Sequence, residues 1–156
     1  LCDRRQRQMC IRDSDIPLIG VDTLQLMAVG VMFNHKVDSD ALFAPMIDAR
    51  RMEVYTAVYD MSLNPLLGPV PLVLDKDSYG RWLAERKVLF FGDGSDKARD
   101  VITSPNAVFI PGVAPLAADM LALAERAYSR RDFIDKAYSV PRYLKEFQAI
   151  KPKKLF

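Results

Sequence analysis

The spacing of apolar side chains changes along this 156-residue chain, and the change limits the folds that are open to it. Between residues 44 and 74, three short apolar segments are separated by turns, and in the segment 52–60 the side chains alternate with a period of two. From residue 77 onward, segments with helical spacing alternate with short apolar runs. The sequence therefore predicts an α/β fold whose mixed sheet is antiparallel in its first half and parallel in its second half.

The predicted elements form a meander of three strands, followed by helix, strand, helix, strand and helix. A mixed five-stranded sheet in this order is the ribonuclease-H-like arrangement, and two such units form the two lobes of actin-like (ASKHA) ATPases. We predict that residues 41–156 form one such lobe and that residues 15–40 are the remnant of a preceding lobe. The predicted strands are 16–21 before the sheet and 44–48, 52–60, 70–74, 88–91 and 107–110 within it, and the predicted helices begin near residues 22, 77, 95 and 115.

The first fourteen residues differ in composition from the rest of the chain. They hold four arginines, two aspartates and both cysteines, whereas the other residues include 18 basic and 18 acidic side chains and are neutral overall. This segment has no helical stripe and no strand alternation, and it resembles translated adaptor sequence. We therefore predict that 1–14 is a non-native read-through segment, with a basic nucleic-acid-binding arm as the alternative. The apolar run 16–33 is interrupted by polar residues, so we expect no membrane span and a cytoplasmic protein.

The first candidate site is the turn Asp48-Ala49-Arg50-Arg51 between the first two strands of the sheet. In lobes of this kind, an acid at the end of the first strand is followed by glycines, which let the backbone approach the phosphates of a nucleotide. Here Arg50 and Arg51 replace the glycines, so we predict that this phosphate cradle is disabled. Either Asp48 pairs with an arginine, near Glu53, and merely fixes the turn, or the arginines bind a phosphate, an RNA backbone or an acidic partner protein.

The second candidate site is the glycine turn that follows the apolar run 88–91. Gly92, Asp93, Gly94 and Ser95 precede a predicted helix, which is how a nucleotide can meet a helix N-terminus. The motif fails as a dinucleotide-binding sequence because Lys97 occupies the position of the third glycine. Glycines at these positions are also found in ordinary tight turns, so both interpretations remain open.

A metal-dependent nuclease or phosphotransferase is the alternative function. It would gather carboxylates around divalent ions, and Asp48 and Asp93 both follow strands that this topology can bring together. Glu85 is the only acid within the preceding predicted helix, but it falls at the end of that helix. His35, the only histidine, lies in a polar loop without cysteines, which disfavours a zinc site or a catalytic triad.

Four segments resemble the TsaB (YeaZ) family, the bacterial partner subunit in the synthesis of threonylcarbamoyladenosine in tRNA. The resemblance extends over essentially all of residues 15–156, and the hairpin motif is the most specific part of it. The four segments are "IPLIGVDTL" (16–24), the hairpin "DARRMEVY" (48–55), "FFGDGSDK" (90–97) and Pro141-x-Tyr143-Leu144.

The resemblance implies an actin-like fold that has lost catalysis, so no catalytic residue and no metal ligand is expected in this chain. The implied partners are the catalytic paralogue TsaD and the ATPase TsaE, with tRNA as the substrate of the complex, no membrane, and a homodimer as a further option. ATP and Mg²⁺ are implied for the parent complex, and no cofactor is assigned to this chain. An older label for the family is glycoprotease-like. Because the family's first lobe should precede Ile16, we expect an incomplete fragment.

Overall fold

The computed structural model of the chain describes residues 4–145, and its centre is one mixed sheet of five strands in the order β3-β2-β1-β4-β5. The first three strands form an antiparallel meander, and β4 and β5 run parallel to β1. This order confirms the predicted ribonuclease-H-like arrangement. The strands are β1 (Leu42–Asp48), β2 (Glu53–Tyr59), β3 (Pro65–Val73), β4 (Val88–Phe91) and β5 (Ala107–Ile110).

Helices cover both faces of the sheet. One face packs against α2, and the other packs against α3 and α4, which also make the crossovers between parallel strands. Each described helix is too short or too polar to cross a membrane. The helices are α1 (Arg4–Asp13), α2 (Thr23–Asn34), α3 (Gly80–Leu83), α4 (Ser95–Arg99) and α5 (Met120–Ser129), with a 3₁₀ turn (Ala117–Asp119) before α5.

Helix α2 begins where the sequence predicts, because the Asp22 carboxylate accepts hydrogen bonds from the N–H groups of Leu24 and Gln25. It is buried on two sides instead of one. Met27 packs against the sheet, while Val29 packs against Leu123 of α5. A helix enclosed in this way is apolar around most of its circumference, which hides the one-sided stripe that a surface helix shows.

Several predicted elements were wrong. The strand predicted at 16–21 does not form. Among the described residues this segment makes one isolated bridge, from Leu18 to Ile134, and none of the five strands pairs with it. Strand β3 begins at Pro65, where the sequence predicts a turn, because an edge strand tolerates prolines. Helix α3 has only four residues, since Tyr79 takes a left-handed φ of 63° immediately before it. We predicted no helical stripe in the segment 1–14, but Arg4–Asp13 form helix α1.

The central strand β1 contains a proline, whose missing N–H interrupts its pairing with β2. The register passes from the pair Phe43–Tyr59 to the pair Met46–Thr56 across this gap. The buried Thr56 hydroxyl donates to the Pro45 carbonyl at 2.8 Å and receives a hydrogen bond from the Tyr79 hydroxyl at 2.9 Å. The Thr56 hydroxyl therefore ties the Pro45 carbonyl to β2 at the point where proline cannot donate to the ladder. Burial raises the pKa of Tyr79, so its hydroxyl stays protonated and serves as a donor.

Candidate functional site

The two predicted acidic residues meet at one edge of the sheet. Asp48 ends β1 and Asp93 follows β4, and parallel neighbouring strands end on the same side. The Asp48 N–H donates to the Asp93 carboxylate at 2.9 Å. The sequence-based expectation that the topology brings these residues together is therefore confirmed. We call this edge, with the turn 48–53 and the glycine turn 92–95, the strand-end corner.

The turn between β1 and β2 has an unusual backbone conformation. Arg50 and Arg51 have φ angles of 65° and 51°, in the left-handed region that glycine or asparagine usually occupies. The Glu53 N–H closes the turn by donating to the Arg50 carbonyl at 3.2 Å, and the Arg50 N–H donates to the Asp48 carboxylate. A non-glycine residue in such a conformation costs about 1–3 kcal/mol, so surrounding contacts must hold the turn. Both arginine side chains are exposed and do not fill the corner.

The group that fills the corner is the ammonium of Lys97, which enters from α4. It donates to the Asp48 carboxylate, to the Arg51 carbonyl at 2.7 Å and to the Glu53 carbonyl at 2.7 Å. The Lys97 side chain is only 18% exposed. An ammonium has three N–H groups, and all three are used by these acceptors. The hydrogen bond and the positive charge from Lys97 hold the pKa of Asp48 below its usual value.

The glycines of the second candidate site have a packing role. A Cβ on Gly92, whose φ is +100°, would lie 2.2 Å from the Met46 carbonyl oxygen, and a Cβ on Gly94 would lie 2.9 Å from a methyl group of Val54. The Gly94 N–H donates to the Met46 carbonyl, and the buried Ser95 hydroxyl donates to the Gly92 carbonyl at 2.7 Å. The glycines thus let the turn pack directly on β1, and these donors are engaged within the fold. No nucleotide contact is needed to account for them.

The four segments that resemble the TsaB family meet around this corner. A cleft of about 220 Å³ beside it is lined by the start of α2, by Tyr55 of β2 and by residues 142–145. The Lys145 ammonium forms an ion pair with the Glu53 carboxylate at 2.7 Å, which ties the last described residues to the hairpin. At the same cleft the Tyr59 hydroxyl lies 3.4 Å from the Asp22 carboxylate, and burial together with that negative charge raises the pKa of Tyr59.

The other residues weighed from the sequence lie away from the corner. Glu85 follows α3 and precedes β4, so it lies at the opposite edge of the sheet from Asp48 and Asp93. His35 is exposed at the C-terminal end of α2. Within residues 4–145, no three His, Cys, Asp or Glu side chains are grouped as metal ligands would be. The carboxylates of the nuclease interpretation are therefore only partly brought together.

Lys97 is the site residue whose role the sequence analysis missed. It was noted only as a departure from a glycine motif. The signal in the sequence was its position five residues after Gly92. This position lies in the first turn of a short helix that follows a parallel strand, and that turn faces the end of the neighbouring strand. An apolar or glycine residue there would leave the two turn carbonyls without a partner.

No family model matches the chain, and no curated protein matches it. YeaZ from Pseudomonas aeruginosa is 23% identical over 90% of this chain and 67% of its own, with a TM-score of 0.67. An uncharacterized protein from Pseudomonas aeruginosa, described as similar to peptidase YeaZ, is 25% identical over 83% of this chain, with a TM-score of 0.65.

The present chain spans 59% of the length of the YeaZ-like protein. The corresponding elements form the same kind of α/β layer structure, with a mixed five-stranded sheet between helices. The fold therefore matches that of YeaZ, and the two neighbours support the relation of this chain to the TsaB (YeaZ) family.

Proposed function

We propose that this chain is a non-catalytic partner subunit of the bacterial complex that makes N6-threonylcarbamoyladenosine (t6A) in tRNA. In this role it supports the catalytic paralogue TsaD and works with the ATPase TsaE. The likeness to YeaZ in fold, together with the four sequence segments that converge on one edge of the sheet, supports the family relation on which the proposal rests.

One observation carries the non-catalytic part of the proposal: the Lys97 ammonium occupies the strand-end corner. In an active lobe, this corner leaves room for the backbone to approach the phosphates of a nucleotide. Here the three N–H groups of Lys97 are used by the Asp48 carboxylate and by two carbonyls of the turn, so none is left for a phosphate. The corner is thus organised as a structural support for the hairpin.

The same contacts disfavour the nuclease alternative. A two-metal site needs carboxylate oxygens that converge on the ions. The Asp48 carboxylate instead accepts hydrogen bonds from Lys97 and from the Arg50 N–H, and the Asp93 carboxylate accepts one from the Asp48 N–H. A cation supplied by the protein already neutralises the charge that a metal ion would meet.

We do not propose for this chain the peptidase activity that the description of one neighbour mentions. A Ser-His or Cys-His pair requires a histidine beside the nucleophile. His35 is the only histidine of the chain, and it is exposed at the end of α2, away from the strand-end corner.

The proposal is tested by reconstitution with TsaD and TsaE from the same genome. The reaction combines the chain and both partners with tRNA, ATP, Mg²⁺ and the threonylcarbamoyl-adenylate donor. The amount of t6A is then measured by mass spectrometry of digested tRNA. We expect t6A formation to rise with the concentration of this chain and to saturate as the chain binds TsaD. Failure to bind TsaD, or metal-dependent RNA cleavage by the chain alone that Asp48→Asn abolishes, would contradict the proposal.

A further inference from the structure

The tip of the β1–β2 hairpin presents two adjacent arginines on a turn of costly backbone conformation. Both side chains are exposed, and both residues are left-handed. Strained backbone persists where surrounding contacts fix it, and such positions cluster at functional sites. Arg130–Arg131 is another adjacent pair, but there the left-handed residue follows the last turn of α5, where such a conformation is the ordinary helix ending. At the hairpin tip, a tight turn accounts for the positive φ angles, but such positions usually hold glycine or asparagine, and here both hold arginine.

Two of the three acidic groups nearest to the hairpin tip are paired with lysines, and the third accepts a backbone hydrogen bond. Asp48 binds Lys97, Glu53 binds Lys145, and Asp93 accepts the Asp48 N–H. Among the described residues, no ion pair involves Arg50 or Arg51. Within residues 4–145, the positive charge of the two guanidinium groups at the tip is therefore not cancelled by a carboxylate in contact with them.

Lys97 fixes this tip from beneath. Its ammonium binds the carbonyls of Arg51 and Glu53 from the inner side of the turn while its side chain is mostly buried. A partner that contacts the exposed arginines would not touch Lys97 itself. Lys97 therefore acts on the tip only through the conformation of the turn, and a rigid turn loses less entropy when a partner binds.

We propose that Arg50 and Arg51 form a preorganised docking site for an acidic segment of a partner protein, with Lys97 as the positioning residue that holds the site. Guanidinium groups bind carboxylates through paired hydrogen bonds, which matches an Asp- or Glu-rich segment. This inference rests on the proposed function only for the identity of the partner, which would be TsaD.

The charge distribution favours a protein partner over an RNA backbone. RNA-binding surfaces spread many cations over a groove or stripe, and residues 15–156 have equal numbers of basic and acidic side chains. Protein interfaces are instead enriched in a few arginines together with aromatic residues and methionine. Met52 in the same turn is 38% exposed, and Tyr143 in the neighbouring cleft is 83% exposed. The composition of the hairpin tip therefore matches that of a protein interface.

The test is a double-mutant cycle on binding to TsaD. The variants are Lys97→Met, the pair Arg50→Ala/Arg51→Ala and their combination, with Arg130→Ala/Arg131→Ala as the matched control pair. We expect the hairpin pair to weaken binding about tenfold, an effect that shrinks at high salt, and the control pair to change it less than about twofold. Lys97→Met should weaken binding severalfold alone and not at all in the background that lacks both arginines.

Thermal melting separates this role from a merely structural one. Lys97→Met removes the Lys97 hydrogen bonds and should lower Tm whether or not Arg50 and Arg51 are present. The effect of Lys97→Met on the affinity for TsaD should appear only when both arginines are present. If Lys97→Met weakens binding equally in both backgrounds, the positioning role is refuted. If the hairpin pair behaves like the control pair, the docking site is refuted while the proposed function stands.

A second arm does not depend on TsaD. A 12-residue oligoglutamate peptide is titrated at low salt and followed by amide NMR shifts, in parallel with a 12-nucleotide single-stranded RNA. We expect the peptide to shift the amides of residues 49–53 in the wild type and not in the Arg50→Ala/Arg51→Ala variant, even if TsaD does not bind and the proposed function fails. The absence of such shifts, or shifts at lower concentrations of RNA than of peptide, would overturn the inference.

Discussion

Replacing Lys97 by methionine tests the energetic role of the strand-end corner. The substitution keeps the aliphatic stem and removes the ammonium that binds the Asp48 carboxylate and two carbonyls. The Asp48 side chain is 49% exposed, so solvent screening limits the ion pair itself to about 0–1 kcal/mol. The two carbonyls are hydrogen-bonded to a mostly buried cation, and each bond should contribute about 1 kcal/mol.

We therefore expect Lys97→Met to lower the free energy of unfolding by about 2–3 kcal/mol. In a chain of this size that loss corresponds to a Tm lower by roughly 4–12 °C in thermal melts followed by circular dichroism. A decrease of less than about 1 °C would refute the assignment of Lys97 as the support of the turn, because the three acceptors would then be satisfied equally well by water.

The effect should also depend on pH. The pKa of Asp48 is lower in the folded protein than in the unfolded chain. The ion pair therefore stabilises the fold fully at pH values above the ordinary aspartate pKa, about 3.9. This contribution is lost as the pH falls through the lowered pKa of the folded state. The stability difference between wild type and Lys97→Met should shrink on acidification below that range. In an Asp48→Asn background the difference should be smaller at pH 7 and less sensitive to acid. A difference that stays constant from pH 7 to pH 3 would contradict the ion pair.

Three further substitutions, two of them compared with a milder substitution, test the packing that supports the site. Thr56→Val leaves the Tyr79 hydroxyl and the Pro45 carbonyl without partners in the core, so it should lower the free energy of unfolding in urea by about 2–5 kcal/mol. Tyr79→Phe should lower it by only about 1 kcal/mol. Gly92→Ala places a methyl group 2.2 Å from a backbone oxygen at a positive φ and should cost about 2–5 kcal/mol, while Gly112→Ala, also at positive φ but in open space, should cost about 1 kcal/mol. Asp22→Ala removes the cap of α2 and should cost about 1 kcal/mol, and an unchanged Tm would argue against that capping role.

The order of the sheet could be predicted from the sequence because local patterns decide it. Alternation identified β2, and glycine turns and caps separated the later elements. Crossovers that contain a helix imply parallel pairing of the strands they connect. The strand predicted at 16–21 depended on a contact that the local pattern does not show. An apolar run becomes a strand only when a neighbour pairs along it, and among the described residues this segment makes only the single bridge from Leu18 to Ile134. The two-sided burial of α2 depends on α5, which lies about ninety residues later in the chain.

The candidate site was predictable in position but not in chemistry. Topology alone places Asp48 next to Asp93, since both follow adjacent parallel strands. The occupant of the corner depends on where one flexible side chain extends, and Lys97 is separated by more than forty residues from each acceptor that it binds. The exposed arginines carried the more visible signal in the sequence, although the lysine beneath them fills the space.

The central claim is that Asp48 anchors Lys97 and takes no part in chemistry. The most direct test is the yield of t6A in the reconstituted system at a saturating concentration of this chain, compared between wild type and Asp48→Asn. The account predicts that the yield depends on the chain and that the variant supports it within about twofold, because the lost ion pair contributes only about 0–1 kcal/mol. No dependence on the chain, or a loss on the order of a thousandfold with Asp48→Asn, as expected for a residue that touches the reacting atoms, would contradict it.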